Sequence, residues 1–120
     1  MNLKELFGKK HKYRAKKVVI NNITFDSKKE ADRYQVLVML EKGGKISDLK
    51  IQPKFVLQDA FYVGSKKYLP ITYTADFTYY DSDSKKEIVE EVKGFKTDDY
   101  RIRKKMFLKR YGGSVKFIES

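Results

Sequence analysis

Residues 87–94 read EIVEEVKG. Ile88, Val89 and Val92 favour a β-strand. A strand bound for a core has no ordinary use for Glu90, Glu91 and Lys93 side by side. The preceding segment, residues 71–80, reads ITYTADFTYY and carries the strongest β signal in the chain. The two are joined by a polar turn, Asp81-Ser82-Asp83-Ser84-Lys85, centred between Asp83 and Ser84. In an antiparallel hairpin about that centre, Asp76 and Glu91 are equidistant from the turn. They therefore oppose each other on one face with Cβ atoms ~5 Å apart. Lys93, two residues beyond Glu91, shares the face.

Two carboxylates so opposed repel each other. A divalent cation between them removes the repulsion, and with waters and a phosphate such a pair suits Mg²⁺. The competing explanation is a surface hairpin with cross-strand ion pairs, for which acid-x-Lys alone would be enough. Asp76 in the apolar context TADF weighs against it. Glu90 points to the opposite face from Glu91 and reads as structural or edge-exposed. A register slip of one residue would exchange their roles.

Outward from this hairpin, residues 27–42 predict a helix. Ala31, Tyr34, Leu37, Val38 and Leu40 form its apolar stripe, Ser27 caps it, and Gly43-Gly44 ends it. Residues 18–25, VVINNITF, predict two short strands about Asn21-Asn22. Residues 51–58, IQPKFVLQ, predict a strand with an edge or bulge at Pro53. Residues 61–70 either extend that strand or fold as a small hairpin. The strand over 87–93 is followed by a helix over 98–111, capped by Thr97 and stopped at Gly112-Gly113. Ile102, Met106, Phe107 and Tyr111 are its expected core residues. A last strand covers 114–118. The order is αβββαβ, with an antiparallel meander and then a parallel pair connected by a right-handed helical crossover. The expected organisation is a basic arm over 1–17 and one α/β domain over 18–120.

The chain has 120 residues, 27 Lys+Arg against 16 Asp+Glu, and a net charge of +11. So basic a domain points to a polyanion, nucleic acid first and acidic membrane surface second. The absence of cysteine excludes disulfides, zinc-thiolate sites and cysteine nucleophiles. The single histidine, His11, leaves no basis for a Ser-His-Asp triad or a multi-histidine metal site. No apolar run reaches the ~18 residues of a membrane-spanning helix, and the N-terminus lacks a secretory pattern. A cytoplasmic protein with no membrane partner is the expectation.

Asp76, followed by Glu91-Val92-Lys93 on the next strand, resembles the PD-(D/E)xK nuclease site, and the αβββαβ order is similar to its core. The likeness covers residues 13–118. It is nearest to small phage and prophage endonucleases related to Holliday-junction resolvases. The shared features are the KYRAKK arm, F-x-S-x-x-E-A at 25–31, Q-P-x-F at 52–55, Asp76-Phe77, and VKG at 92–94 followed by Thr97. Ala75 stands where the proline of the motif would be. The resemblance implies a restriction-endonuclease-like fold, a mixed sheet flanked by two helices. It also implies a DNA endonuclease acting in phage DNA recombination or processing inside a bacterial host. Asp76, Glu91 and the Val92 carbonyl would hold Mg²⁺, or Mn²⁺ in its place. Lys93 would orient or deprotonate the attacking water. Glu30 would complete the metal shell or orient Lys93. The products would be a 3′-hydroxyl and a 5′-phosphate. Branched or junction DNA is the implied substrate and a homodimer the implied assembly. The alternatives are a non-catalytic DNA-binding module on the same fold and a general nicking nuclease.

Other residues keep two explanations each. Glu30 also fits the capping box begun by Ser27. Gln52 lines the site or satisfies a buried backbone group. On the second helix Lys104 is the favoured DNA-facing cation, against a merely solvated face. Lys9, Lys10, Lys12, Arg14, Lys16 and Lys17 read as phosphate contacts on an arm that orders on binding. Tyr13 stacks on a base or sugar, or packs on the domain. Deleting residues 1–12 should weaken DNA binding and reduce the slope of log K against log salt by about one unit per lost phosphate contact. Titrations at several salt concentrations measure it, and an unchanged slope would remove the arm from the interface.

Overall fold

The computed structural model describes residues 16–92 and 96–120. They form two compact units, one ending at Val36 and the other running from Leu37 to Ser120. The described residues are α/β, with a mixed sheet and two helices. Among the described residues no helix is long and apolar enough to cross a membrane.

Among the described residues of the first unit, β1 (Val18–Ile20) and β2 (Ile23–Phe25) are paired antiparallel. Asn21 and Asn22 connect them, both with positive φ (52° and 64°). Asparagine tolerates that region better than most residues, which suits it to a two-residue hairpin turn. Helix α1 (Lys28–Lys42) follows, and the division between the units falls within it. Ser27 Oγ accepts the Glu30 N–H at 3.1 Å, the cap expected from the sequence. Phe25 and Tyr34 pack ring to ring at 5.0 Å. In the second unit the helix stops where Lys45 N–H donates to the Leu40 carbonyl at 2.9 Å and Gly44 takes φ +76°.

The second unit contains β3 (Ile46–Ile51), β4 (Lys54–Gln58), β5 (Phe61–Val63), β6 (Lys66–Tyr68), β7 (Ile71–Thr74), β8 (Phe77–Asp81), β9 (Lys86–Glu91), α2 (Asp98–Tyr111) and β10 (Lys116–Glu119). The main sheet has the order β10-β9-β8-β3. β3, β8 and β9 form an antiparallel meander, and β10 runs parallel to β9. Helix α2 supplies the connection that a parallel pair requires.

Two expectations need correction. The strand expected over 51–58 is divided: its first residue ends β3, which begins at Ile46 and lies in the main sheet, while Lys54–Gln58 form β4. The strand expected over 71–80 is divided between Thr74 and Phe77, and β4 pairs with β7 apart from the main sheet. Yet the pairing stays in step across the gap. Ile51 faces Phe77 on one side of it and Lys54 faces Thr74 on the other. Gln52 N–H donates to the Asp76 carbonyl at 2.9 Å, and Ala75 N–H to the Pro53 carbonyl at 3.0 Å. These segments are one long ribbon with an interruption at Gln52-Pro53 and Ala75-Asp76. Gln52 has φ +53°, a left-handed conformation unfavourable for a residue with Cβ, and Pro53 has no N–H to continue the ladder. The interruption turns the β4–β7 segment towards α2.

The core lies between that segment, β9 and α2. It contains Leu57, Tyr73, Ala75, Val89, Tyr100 and Phe107. Phe107 is completely buried. Its ring lies 5.0 Å from Phe55, 5.4 Å from Tyr73 and 5.7 Å from Phe117. Met106 and Tyr111 pack against this cluster as expected. Ile102 does not: it is 60% exposed, because Tyr100 and Phe107 set the buried face of α2. Thr97 Oγ1 accepts the Tyr100 N–H at 3.1 Å, fixing where that face begins. Residues 61–70 form the small hairpin, β5 paired with β6.

Truncating Phe107 to Ala should cost about 3–5 kcal/mol, the range for a buried aromatic that leaves a cavity. Urea denaturation measures it. A loss below about 1 kcal/mol would show that this contact is not the centre of the core.

Candidate functional site

The β8–β9 register pairs Phe77 with Glu90, Thr78 with Val89 and Asp81 with Lys86. The paired residues end at Phe77–Glu90, one step short of the Asp76–Glu91 pair expected from the turn, and Asp76 is held at that end of β9 by its side-chain bond to Val92 N–H. The turn itself is held by Asp81, whose Oδ2 accepts Ser84 N–H at 3.1 Å and Ser84 O–H at 2.6 Å. These bonds hold the Asp81 carboxyl below the usual carboxylate range.

Asp76 is fixed at both its main chain and its side chain. Its carbonyl accepts Gln52 N–H, and its Oδ2 accepts Val92 N–H at 2.7 Å. A hydrogen bond to a carboxylate is stronger than one between neutral groups. It ties Asp76 to the peptide that follows Glu91. Asp76 is half-buried, whereas Glu91 is only 3% exposed. Glu91 Oε1 accepts the Tyr73 hydroxyl proton. Burial and then this bond to Glu91 push the Tyr73 hydroxyl far above its ordinary range, so it remains a donor.

The interruption in the ribbon explains how Tyr73 reaches Glu91. Thr78 shares a face with its partner Val89, so strict alternation would send Tyr73 to the opposite face. Instead Tyr73 joins the cluster that contains Val89. The break at Ala75-Asp76 resets the alternation.

Glu90 is completely buried, not edge-exposed. Tyr79 O–H donates to its Oε1 at 2.6 Å and Ser120 O–H to its Oε2 at 3.0 Å. β9 is a central strand, so both acids are enclosed, and each has a tyrosine donor, Tyr79 on the adjacent β8 for Glu90 and Tyr73 on β7 for Glu91. Hydrogen bonding offsets the cost of burying such groups.

A third carboxylate network lies nearby. Tyr100 O–H donates to Glu119 Oε2. Lys104 Nζ reaches Glu119 Oε1 at 3.0 Å and Lys96 Nζ reaches the same oxygen at 3.3 Å. Lys104, expected to face DNA, therefore makes an internal ion pair and also lies over the Phe117 ring at 5.3 Å. The hydrogen bond from Tyr100, with Lys104 and Lys96, lowers the Glu119 carboxyl to about 2. A cavity of about 310 Å³ opens beside Glu91, with Tyr73, Tyr100, Thr72, Thr74 and Arg103 among its lining residues. Arg103 donates to the Thr72 carbonyl and, through Nε, to Asp99 Oδ2 at 3.0 Å.

Residues 10–118 match the model of a family described as a protein of unknown function, DUF1064. The chain belongs to this DUF1064 family. No curated protein matches the chain, and no solved structure matches it.

The DUF1064 chain thus brings Asp76, Glu91 and Val92 together. Gln52 joins them through its main chain, while its side chain is on an exposed residue. Glu30 is buried on the part of α1 that belongs to the other unit. Lys16 and Lys17 are exposed. Lys93 lies outside the described residues, as do Lys9, Lys10, His11, Lys12, Tyr13 and Arg14. Among the described residues no group of three or more acids or histidines gathers at metal-holding distance. Sequence reasoning missed Tyr73, Tyr79, Tyr100 and Glu119. Tyrosine alternating with threonine in ITYTADFTYY reads as ordinary β composition, and nothing local says that a hydroxyl will meet a buried acid.

The Glu119 carboxyl is lower in the folded chain than its ordinary value of 4.5. Its stabilising contribution is present above that value and is lost as pH falls towards about 2. Glu119→Gln should lower stability at neutral pH, where the carboxylate contributes, and flatten the acid limb, so that the two proteins converge as pH falls towards about 2. Urea midpoints measured at successive pH values test this. Parallel limbs for the two proteins would dissociate Glu119 from acid stability.

Proposed function

We propose that this DUF1064 protein is a metal-dependent DNA endonuclease with a restriction-endonuclease-like core, acting on branched DNA in phage recombination or processing within a bacterial cytoplasm. The observation that carries the proposal is the bond from Val92 N–H to the Asp76 carboxylate, which holds Asp76 beside the Glu91-Val92 end of β9 just beyond the Phe77–Glu90 pair. The net charge of +11 supplies the affinity for a polyanion.

The donor set suits a hard divalent cation. Asp76 and Glu91 offer carboxylate oxygens and Val92 a main-chain carbonyl, the ligand types that Mg²⁺ or Mn²⁺ takes together with waters. When bound, such an ion would neutralise phosphate charge and lower the pKa of a coordinated water.

The chain's own groups do the positioning. Val92 N–H and Gln52 N–H fix Asp76 from two directions. Tyr73 O–H orients Glu91 and, being held protonated, keeps donating to it at neutral pH. Lys93 would approach the water and the developing charge on phosphorus, where an ammonium acts mainly in the transition state. Selectivity for a branch requires two sites at fixed separation, and thus a homodimer.

Asp76→Asn and Glu91→Gln should each abolish cleavage while leaving the fold and DNA binding intact. The assay is single-turnover cleavage of labelled four-way junction, flap, duplex and single-strand substrates with Mg²⁺, Mn²⁺ or EDTA. Paired symmetric nicks confined to the junction would support resolution. Wild-type rates in either variant would remove that carboxylate from the chemistry. Binding without cleavage by the wild-type chain would leave a DNA-binding module.

A further inference from the structure

The β5–β6 hairpin pairs with no other strand of the described residues, and all six of its strand residues are exposed. Tyr62 is 65% exposed, and Leu69, just beyond the hairpin, is 74% exposed. Two strands alone are marginally stable in water, and a concentration of exposed apolar side chains marks an interaction surface.

The hairpin is nevertheless well organised. Gly64 takes φ +60° at the first position of the two-residue turn Gly64-Ser65, where a left-handed conformation needs glycine. Phe61 and Tyr68 face each other across the strands, their rings stacked 5.0 Å apart and 8° from parallel. Lys66 Nζ lies 5.0 Å from the centre of the Tyr68 ring. On the other face Tyr62 is paired with Lys67. From Ala60 to Ala75 the chain carries Lys66 and Lys67 and no acid.

We infer that this hairpin is a contact for single-stranded DNA, with Tyr62 stacking on an unpaired base and Lys67, on the same face, meeting a flanking phosphate. Base stacking needs an exposed ring beside a cation, and Tyr62 opposite Lys67 provides both. A second copy of this chain is a poorer occupant of this hairpin, because the same lysines would meet each other across the contact with no acid from Ala60 to Ala75 to offset them. The inference deepens the proposed function by naming unpaired bases as the feature recognised. It rests on the nucleic-acid part of that reading and not on hydrolysis.

The test is fluorescence anisotropy of a labelled oligo-dT strand and a duplex of equal length, in EDTA so that no cleavage occurs. Tyr62→Ala should weaken single-strand binding by about tenfold, as expected for a lost stacking contact, and duplex binding by less than about twofold. Tyr62→Phe should bind like the wild type, since the ring is retained. Lys67→Ala should reduce the single-strand salt slope by about 0.7. Unchanged melting temperatures establish that the variants fold. No wild-type binding to oligo-dT, equal losses on both DNAs, or unchanged single-strand affinity in Tyr62→Ala would each overturn the inference. A loss of self-association in Tyr62→Ala, with DNA binding intact, would assign the hairpin to a second copy instead. Failure of the nuclease reading looks different, because hairpin-dependent binding would survive without any cutting.

Discussion

The two hydrogen bonds that hold Asp76, from Gln52 N–H to its carbonyl and from Val92 N–H to its carboxylate, join three strands at the point where the long ribbon breaks. Gln52 is the last residue before Pro53 and adopts a left-handed conformation. That conformation is unfavourable by itself and persists because the surrounding ladders fix it. On one side of the break the strands belong to the main sheet. On the other they turn to α2 and build the aromatic core around Phe107. Both halves therefore depend on the same few peptide groups.

The break also settles how charge is accommodated in the sheet. Glu90 and Glu91 lie on a central strand where carboxylates would ordinarily be excluded. Tyr79 serves Glu90 from β8, where alternation is regular and the tyrosine is a diagonal neighbour. Tyr73 serves Glu91 from β7, which it can do because the break shifts the facing of the strand. The same core then has an apolar part, around Phe107, and a polar margin of tyrosine hydroxyls next to Asp76, Glu91 and Glu119. Burial raises the hydroxyl pKa values of Tyr73 and Tyr100. They are thus dependable donors, and the acids beside them are oriented rather than merely enclosed.

Cationic side chains divide into those engaged within the fold and those directed outward. Lys104 and Lys96 converge on Glu119, and Arg103 bonds Asp99 and the Thr72 carbonyl. Their charge still contributes to the long-range field, but their donors are partly occupied. Lys66 and Lys67 stand instead on an exposed hairpin with aromatic neighbours. Helix α2, the more basic of the two described helices, commits Arg103 and Lys104 to the fold and leaves Arg101, Lys105, Lys109 and Arg110 on exposed residues. The hairpin is less basic and presents its charge beside exposed aromatic rings.

The sequence by itself determined the local elements and the central register. Ser27, Thr97, Asn21-Asn22 and the glycine pairs are signals whose physics acts within a few residues, and the helices and the first hairpin appear where those signals place them. The Asp83-Ser84 turn fixed the β8–β9 register from Asp81–Lys86 to Phe77–Glu90, because a tight antiparallel turn leaves little freedom in register. Pro53 announced an irregularity, but its consequence required the partner strand: only when Ala75-Asp76 is laid against Gln52-Pro53 does one bent ribbon replace two continuous strands. The start of the sheet at Ile46, the exposure of Ile102, the burial of Glu90, and the tyrosine donors to all three acids were likewise decided by tertiary structure. Each depends on groups 11 to 30 positions apart in the chain, or on which face a neighbouring element covers. Periodicity and capping carry no information at that range, since a hydroxyl or a buried carboxylate acquires its partner only when the strands are packed.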